Sequence, residues 1–123
     1  MLSPGDIRAA ELLSQRGQEL LAGGRPAEAV QAFRAAIASN EYYFEAHHGL
    51  VEALRDSGGL EQAVIAAIEL TFLNPNDPRA YVTLSTSLQC AGHTKEAQAA
   101  LDRAKIVQWS HELKILPRKT WIS

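Results

Sequence analysis

A spacing of 34 residues constrains this chain more than any composition figure does. Gly24, Gly58 and Gly92 are separated by it, as are Ala29, Ala63 and Ala97, and Leu20, Leu54 and Leu88. Three identical triplets at one period mean that one supersecondary unit is used three times. A period of this size belongs to a solenoid, whose units cannot bury their apolar faces alone and do so by stacking on one another. At 123 residues and 46% hydrophobic content, the chain has ample material for a folded core.

The stretches between the glycines read as helices. Ser3-Pro4-Gly5-Asp6 has a helix cap, a proline for the first helical position and a carboxylate near the positive end of the dipole. A first helix is therefore expected from about Pro4 to Ala22, ended by Gly23-Gly24, since glycine accepts the left-handed geometry of a helix exit. A second is expected from Pro26 to about Ser39. Asn40 is the expected cap of a third, which carries His47, Leu50, Val51 and Leu54 and stops at Ser57-Gly58-Gly59. Leu60 to Leu73 makes the fourth, and Asn74-Pro75-Asn76-Asp77-Pro78 ends it and starts a fifth, with Asp77 as cap, running to Ala91-Gly92. Thr94 is the expected cap of the sixth. Such short turns leave almost no room for strands, and the expected architecture is three stacked helical hairpins. Alanines where paired helices cross let their axes approach closely, so Ala63→Leu is expected to overpack that crossing.

The charge balance bounds the partners. A net charge of -2 argues against a dedicated nucleic-acid binder. The balance is uneven: residues 1–93 hold 6 Lys/Arg against 11 Asp/Glu, and residues 94–123 hold 6 against 3. No apolar run reaches the roughly 18 residues of a membrane span. The start of the sequence has no signal-peptide pattern, and the lone Cys90 has no partner for an intramolecular disulfide, so a cytoplasmic location is expected.

These landmarks resemble the tetratricopeptide repeat, a 34-residue helix-turn-helix unit. Its places are filled by Leu13, Arg16-Gly17, Leu20, Ala29 and Phe33 in a first repeat, about 10–43. His47, Leu50-Val51, Leu54, Ala63, Ala67 and Pro75 fill them in a second, 44–77, and Tyr81, Leu84-Ser85, Leu88, Ala97 and Leu101 in a third, 78–111, with residues 112–123 as a tail. Departures are Arg16 where an apolar residue is expected, Ala67 where a large one is, and Glu41 and Trp109 where the second repeat has Pro75. The resemblance implies an all-α, right-handed solenoid. Its concave wall, formed by the first helix of each repeat, would hold an extended peptide or a helix from a protein partner.

On that geometry the wall is lined by Glu11, Ser14, Gln15, Gln18 and Leu21; by Glu45, His48, Gly49, Glu52 and Asp56; and by Arg79, Val82, Thr83, Thr86, Gln89 and Cys90. The best-known subset of the family grips acidic chaperone tails through Lys, Asn and Arg side chains, because carboxylates need charge-assisted bonds. Here the matching places hold Ser14, Gln18, Gly49, Arg79 and Thr83, and Arg79 alone is basic. Glu45, Glu52 and Asp56 beside His48 instead make the middle of the groove mildly acidic, which favours a neutral or basic partner segment, or else they are ordinary solvated charges on a helix face.

Chemistry beyond binding has little support in the sequence. His48 and Glu52 stand four apart on one helix, and Cys90 and His93 straddle a helix end, but neither pair has the further ligands of a metal site. There is no phosphate loop and no nucleophile elbow, which leaves Cys90 with His48 as base for an enzymatic reading. The expectation is a non-catalytic interaction module with no cofactor and no metal. The carboxy-terminal end is the anomaly. Trp109 replaces the helix-ending proline, so the sixth helix is expected to run on about two turns with Ile106, Trp109, Leu113 and Leu116 as its stripe. The last repeat of a solenoid has an open apolar side, and no seventh helix fits in the remaining residues. Trp109, Leu113, Ile115, Leu116, Trp121 and Ile122 then fold back over the third repeat or bury against a second molecule, which makes a homo-oligomer the alternative mode of action.

Overall fold

The computed structural model describes residues 2–113 and is all helical, with no strand among these residues. The helices are α1 (Pro4–Ala22), α2 (Pro26–Ser39), α3 (Phe44–Asp56), α4 (Leu60–Leu73), α5 (Pro78–Cys90) and α6 (Thr94–Glu112). Each helix packs on the next, giving the hairpins α1/α2, α3/α4 and α5/α6 in a layered stack. In addition α1 touches α3 and α3 touches α5, whereas among the described residues α2 and α4, and likewise α4 and α6, stay apart. A stack that closes on one side and opens on the other must curve. The inner wall is therefore α1, α3 and α5, and the chain is an α-helical repeat solenoid.

The three hairpin turns are one structure used three times. Gly24, Gly58 and Gly92 have φ of 73°, 90° and 89°, a region costly for any residue with a Cβ. The residue after each glycine sends its N–H back over the turn: Arg25 to Leu20 O, Gly59 to Leu54 O and His93 to Leu88 O, each 2.8 Å. This closure satisfies a carbonyl at the helix end and sets where the next helix starts. It also corrects the expected role of Thr94. The residue at the cap of α6 is His93, without a side-chain capping bond, and Thr94 is the first helical residue; Arg25 and Gly59 hold the same place before α2 and α4.

The connections between hairpins rely on side chains. Asp77 caps α5 by accepting from Arg79 N, and Ser3 and Asp6 form a reciprocal capping box at α1. Asn40 is not the cap of α3. It closes α2, and its Oδ1 accepts from Tyr42 N at 3.1 Å, so the chain turns before Phe44 and Tyr43 becomes the capping residue. His47 Nε2–H donates to Glu41 O at 2.7 Å, and 34 residues on, Tyr81 O–H donates to Pro75 O at 2.8 Å. Two unlike side chains thus make the same bond to the same linker carbonyl.

The core cluster is centred on Phe33, fully buried with Val51, Ala53, Ala63 and Ala67. The ring lies where a Cβ on Gly17 or on Gly49 would fall well inside van der Waals contact. Both glycines are needed for the ring to sit between α1 and α3. At the equivalent places in the second repeat the pattern inverts, with Ala67 for the phenylalanine and Val51 and Thr83 for the glycines. The small residue at Ala67 is thus explained by its larger neighbours, since interiors hold packing density rather than identity. Arg16, another of the departures, lies on the surface beside Glu19 at 3.6 Å.

The sixth helix extends beyond its counterparts, which stop at Ser39 and Leu73, and runs to Glu112 with Leu113 as cap; Leu116 of the expected stripe lies outside the described residues. Leu113 N–H bonds to Trp109 O at 3.0 Å and closes the last turn.

Two stability measurements check this account. Gly58→Ala is expected to cost about 1–2 kcal/mol from backbone strain alone, because nothing lies within 4 Å of the added methyl. Gly49→Ala is expected to cost on the order of 1–3 kcal/mol by overpacking, and Phe33→Leu in the same chain should recover part of that loss. Urea unfolding of the single and double variants would show whether the two changes are coupled.

Candidate functional site

The inner wall presents three zones along its length. In the first, between α1 and the start of α3, a cavity of about 370 Å³ is lined by Glu11, Ser14, Gln15, Gln18, Glu19, Tyr43 and Glu45. Tyr43 is half-buried at its wall. Burial first, then the Glu45 and Glu11 carboxylates, push its phenol above the ordinary tyrosine range.

The middle zone is a cross-link between α3 and α5. Thr83 O–H donates to Arg79 O at 2.8 Å, so its oxygen accepts from His48 Nδ1–H at 3.1 Å. The other ring nitrogen, Nε2, lies 3.5 Å from Glu52 Oε1, so the imidazole sits between α5 and the next turn of its own helix. The His48 ring stacks on Phe44 with centroids 5.9 Å apart, and the Arg79 guanidinium lies 3.9 Å from the Phe44 centroid. Arg79 is also held by Asp77, with contacts from 2.7 to 3.1 Å. That side-chain hydrogen bond is the main cause that holds the Asp77 carboxyl below the usual carboxylate range and raises the Arg79 guanidinium.

These contacts sort the residues singled out above. Gln18 and Glu45 share the first cavity, and Glu52, half-buried, adjoins His48 in the middle. Asp56 is exposed at the end of α3, and Thr86 is exposed with its hydroxyl donating to Val82 O. Thr83 is 5% exposed and its hydroxyl is already occupied, while Gly49 is buried under Phe33. Arg79 is neutralised by Asp77, so the wall's one basic candidate for gripping a carboxylate is engaged within the fold. His48 is half-buried rather than free, and Cys90 is exposed. No group of three or more His, Cys, Asp and Glu converges on a metal-sized space among the described residues.

The third zone is the open end. Pro78, Val82, Leu101, Ala104 and Trp109 line a shallow cavity of about 320 Å³, and Trp109 is 56% and Leu113 50% exposed. Leu116 and Trp121, with Ile115 and Ile122, lie outside the described residues. One further apolar patch was not anticipated: Ile65, Ile68 and Phe72 are exposed on α4. Its sequence signal is a helix apolar on all sides, with no clean period to separate an inner from an outer face.

The model of the family described as tetratricopeptide repeat matches residues 20–88. The chain belongs to the tetratricopeptide repeat family. No curated protein matches its sequence closely enough to count as a relative. Among solved structures, the TPR2AB domain of yeast Sti1 in complex with pHSP90 is similar at TM-score 0.77 and 20% identity, over 92% of this chain and 42% of that one. MamA is similar at TM-score 0.76 and 22% identity, over 90% and 61%. The second TPR of Spaghetti, bound to the HSP90 peptide SRMEEVD, is similar at TM-score 0.73 and 16% identity, over 84% and 95%. This tetratricopeptide repeat chain thus spans less than two thirds of the Sti1 and MamA chains. No helix among its described residues is long and apolar enough to cross a membrane.

The Asp77–Arg79 pair gives a pH test. With its folded-state pKa lowered, Asp77 contributes stability that is fully present above about pH 4, the unfolded carboxylate range, and lost as the pH falls below it. Asp77→Ala is expected to cost about 1 kcal/mol at pH 7, chiefly through the lost cap, since the exposed guanidinium adds little. Denaturant midpoints for both chains should converge between pH 5 and pH 2; a constant gap would remove the charge from the explanation.

Proposed function

We propose that this chain is a non-catalytic protein-interaction module that holds an extended partner segment along the α1/α3/α5 wall. The observation that carries this reading is the curvature. Among the described residues the backbones of α1, α3 and α5 approach one another more closely than those of α2, α4 and α6, which makes an inner surface with a side-chain cavity. Solved structures of similar fold include one bound to the HSP90 peptide SRMEEVD and one in complex with pHSP90, which supports peptide capture as what such a wall does. The acidic peptide of those complexes does not suit this wall, whose Arg79 is engaged and whose exposed charges are mainly Glu11, Glu45 and Asp56. A neutral or basic segment suits it better. The cytoplasm is the location that goes with this reading.

The test is binding of immobilised nine-residue peptides of graded net charge to the whole chain. Neutral and basic peptides should bind, and the Glu52→Lys/Asp56→Lys double variant should weaken them by about tenfold, a 1.4 kcal/mol change. Equal binding to both proteins would place recognition elsewhere.

A second reading rests on the open end. Trp109, Leu113 and Val82 around its cavity form a surface suited to self-association, the alternative in which the chain works as a complex-stabilising subunit. Size-exclusion chromatography with light scattering on the full chain and on one ending at Leu116 decides it. A dimer that Trp109→Ala abolishes would support this reading, and a monomer in both chains would remove it.

A further inference from the structure

We infer that the cavity of the first repeat is a socket for one basic side chain, an arginine in preference to a lysine, of the segment held in the groove. The inference rests on the groove reading and adds the chemistry of one partner residue.

The lining carries three carboxylates, Glu11, Glu19 and Glu45, and no basic side chain. Glu19 has Arg16 at 3.6 Å, but Glu11 and Glu45 have no ion-pair partner among the described residues. Two carboxylates without an ion pair act on one space from two elements, α1 and the start of α3; the Arg79 guanidinium, whose field reaches Glu45, is already paired with Asp77. That their fields overlap is supported by Tyr43, whose phenol is raised by both.

A second observation is independent of charge. The Ser14 hydroxyl is buried, with the residue 4% exposed, and has no hydrogen-bond partner. This contrasts with Ser39, Thr83, Thr86 and Ser87, which each donate to the carbonyl four residues before. A buried polar group without a partner is costly and is normally satisfied by something. Ser14 lines the same cavity as the two carboxylates, so the missing partner and the missing countercharge are in one place.

The shape selects the ligand. At about 370 Å³ the cavity is near the lower end of the roughly 300–1,000 Å³ range of small-molecule pockets. That size suits one long side chain better than a folded element. The Tyr43 ring offers a face for an aliphatic stem or a guanidinium plane. The polar groups around it, two carboxylates with the amide oxygens of Gln15 and Gln18 and the Ser14 oxygen, can all accept. A guanidinium brings five donors in a rigid fork and no acceptor; an ammonium brings three. An acidic side chain would meet repulsion from the same groups.

The experiment uses the full chain, labelled with ¹⁵N, and a nine-residue peptide that binds in the charge series, remade with Arg, Lys, Gln or Glu at its basic position. The expected result is the affinity order Arg, Lys, Gln, Glu, with shifts at the amides of Glu11, Ser14, Gln18 and Glu45. A Glu11→Gln/Glu45→Gln variant should bind the Arg peptide about tenfold more weakly and leave the Gln peptide unchanged. Ser14→Ala, which keeps the helix, should weaken the Arg peptide and spare the Gln peptide. If the four peptides bind alike, with shifts along α3 and α5 only, the socket is refuted and the groove reading stands. If no peptide of the charge series shifts the α1, α3 or α5 amides, the groove reading itself fails, and the socket with it.

Discussion

The structure depends on a backbone turn that glycine alone makes without strain. At Gly24, Gly58 and Gly92 the chain takes a positive φ, and a 2.8 Å bond from the next residue locks the first helix of each hairpin to the start of its second. Because the turn is identical each time, the same angle between helices is repeated. The alanines at Ala29, Ala63 and Ala97 then meet the same crossing, fully or almost fully buried. A repeated hairpin with a repeated offset generates a curved stack, and the wall on its inner side is a consequence of that geometry.

Within this frame the packing is conserved in volume rather than in residue type. Phe33 sits between Gly17 and Gly49, while the equivalent crossing in the next repeat uses Ala67 with Val51 and Thr83. The linker bond made by His47 in one repeat is made by Tyr81 in the next. Such exchanges keep the layers parallel without keeping the sequence, which is consistent with structural likeness to proteins only 16–22% identical. They also determine what the groove offers. Thr83, Arg79 and His48 cross-link α3 to α5, which withdraws them in part from any partner, whereas among the described residues Glu11 and Glu45 have no ion pair and Ser14 no hydrogen-bond partner. The polar character of the wall is thus what remains after the stack has satisfied itself.

The fold was largely legible because its determinants are local and periodic. The glycine turns, the capping box at Ser3 and the Asp77 cap depend on residues a few places apart, and they appear as spelled. The caps expected at Asn40 and Thr94 were misplaced for a reason of the same kind. Asn40 bonds forward to Tyr42 and Thr94 is displaced by the glycine turn, so a good capping residue nearby does not mark the cap when another local bond competes. The candidate site was legible only as a list of positions facing inward. Some are engaged by near neighbours, as Arg79 is by Asp77, but the His48–Thr83 and Phe44–Arg79 contacts join residues 35 apart.

By itself the sequence determined the period, the helices and the family, since backbone turns, helical spacing and repeated landmarks are properties of short stretches of chain. Only the tertiary structure decided that Arg79 is stacked on Phe44, that Thr83 is buried, and that, among the described residues, Ser14 lacks a partner beside two carboxylates without ion pairs. The physical reason is that hydrogen bonds and desolvation are settled by which side chains meet across layers. The 34-residue spacing says that layers will meet, but not which of their polar atoms will already be satisfied when they do.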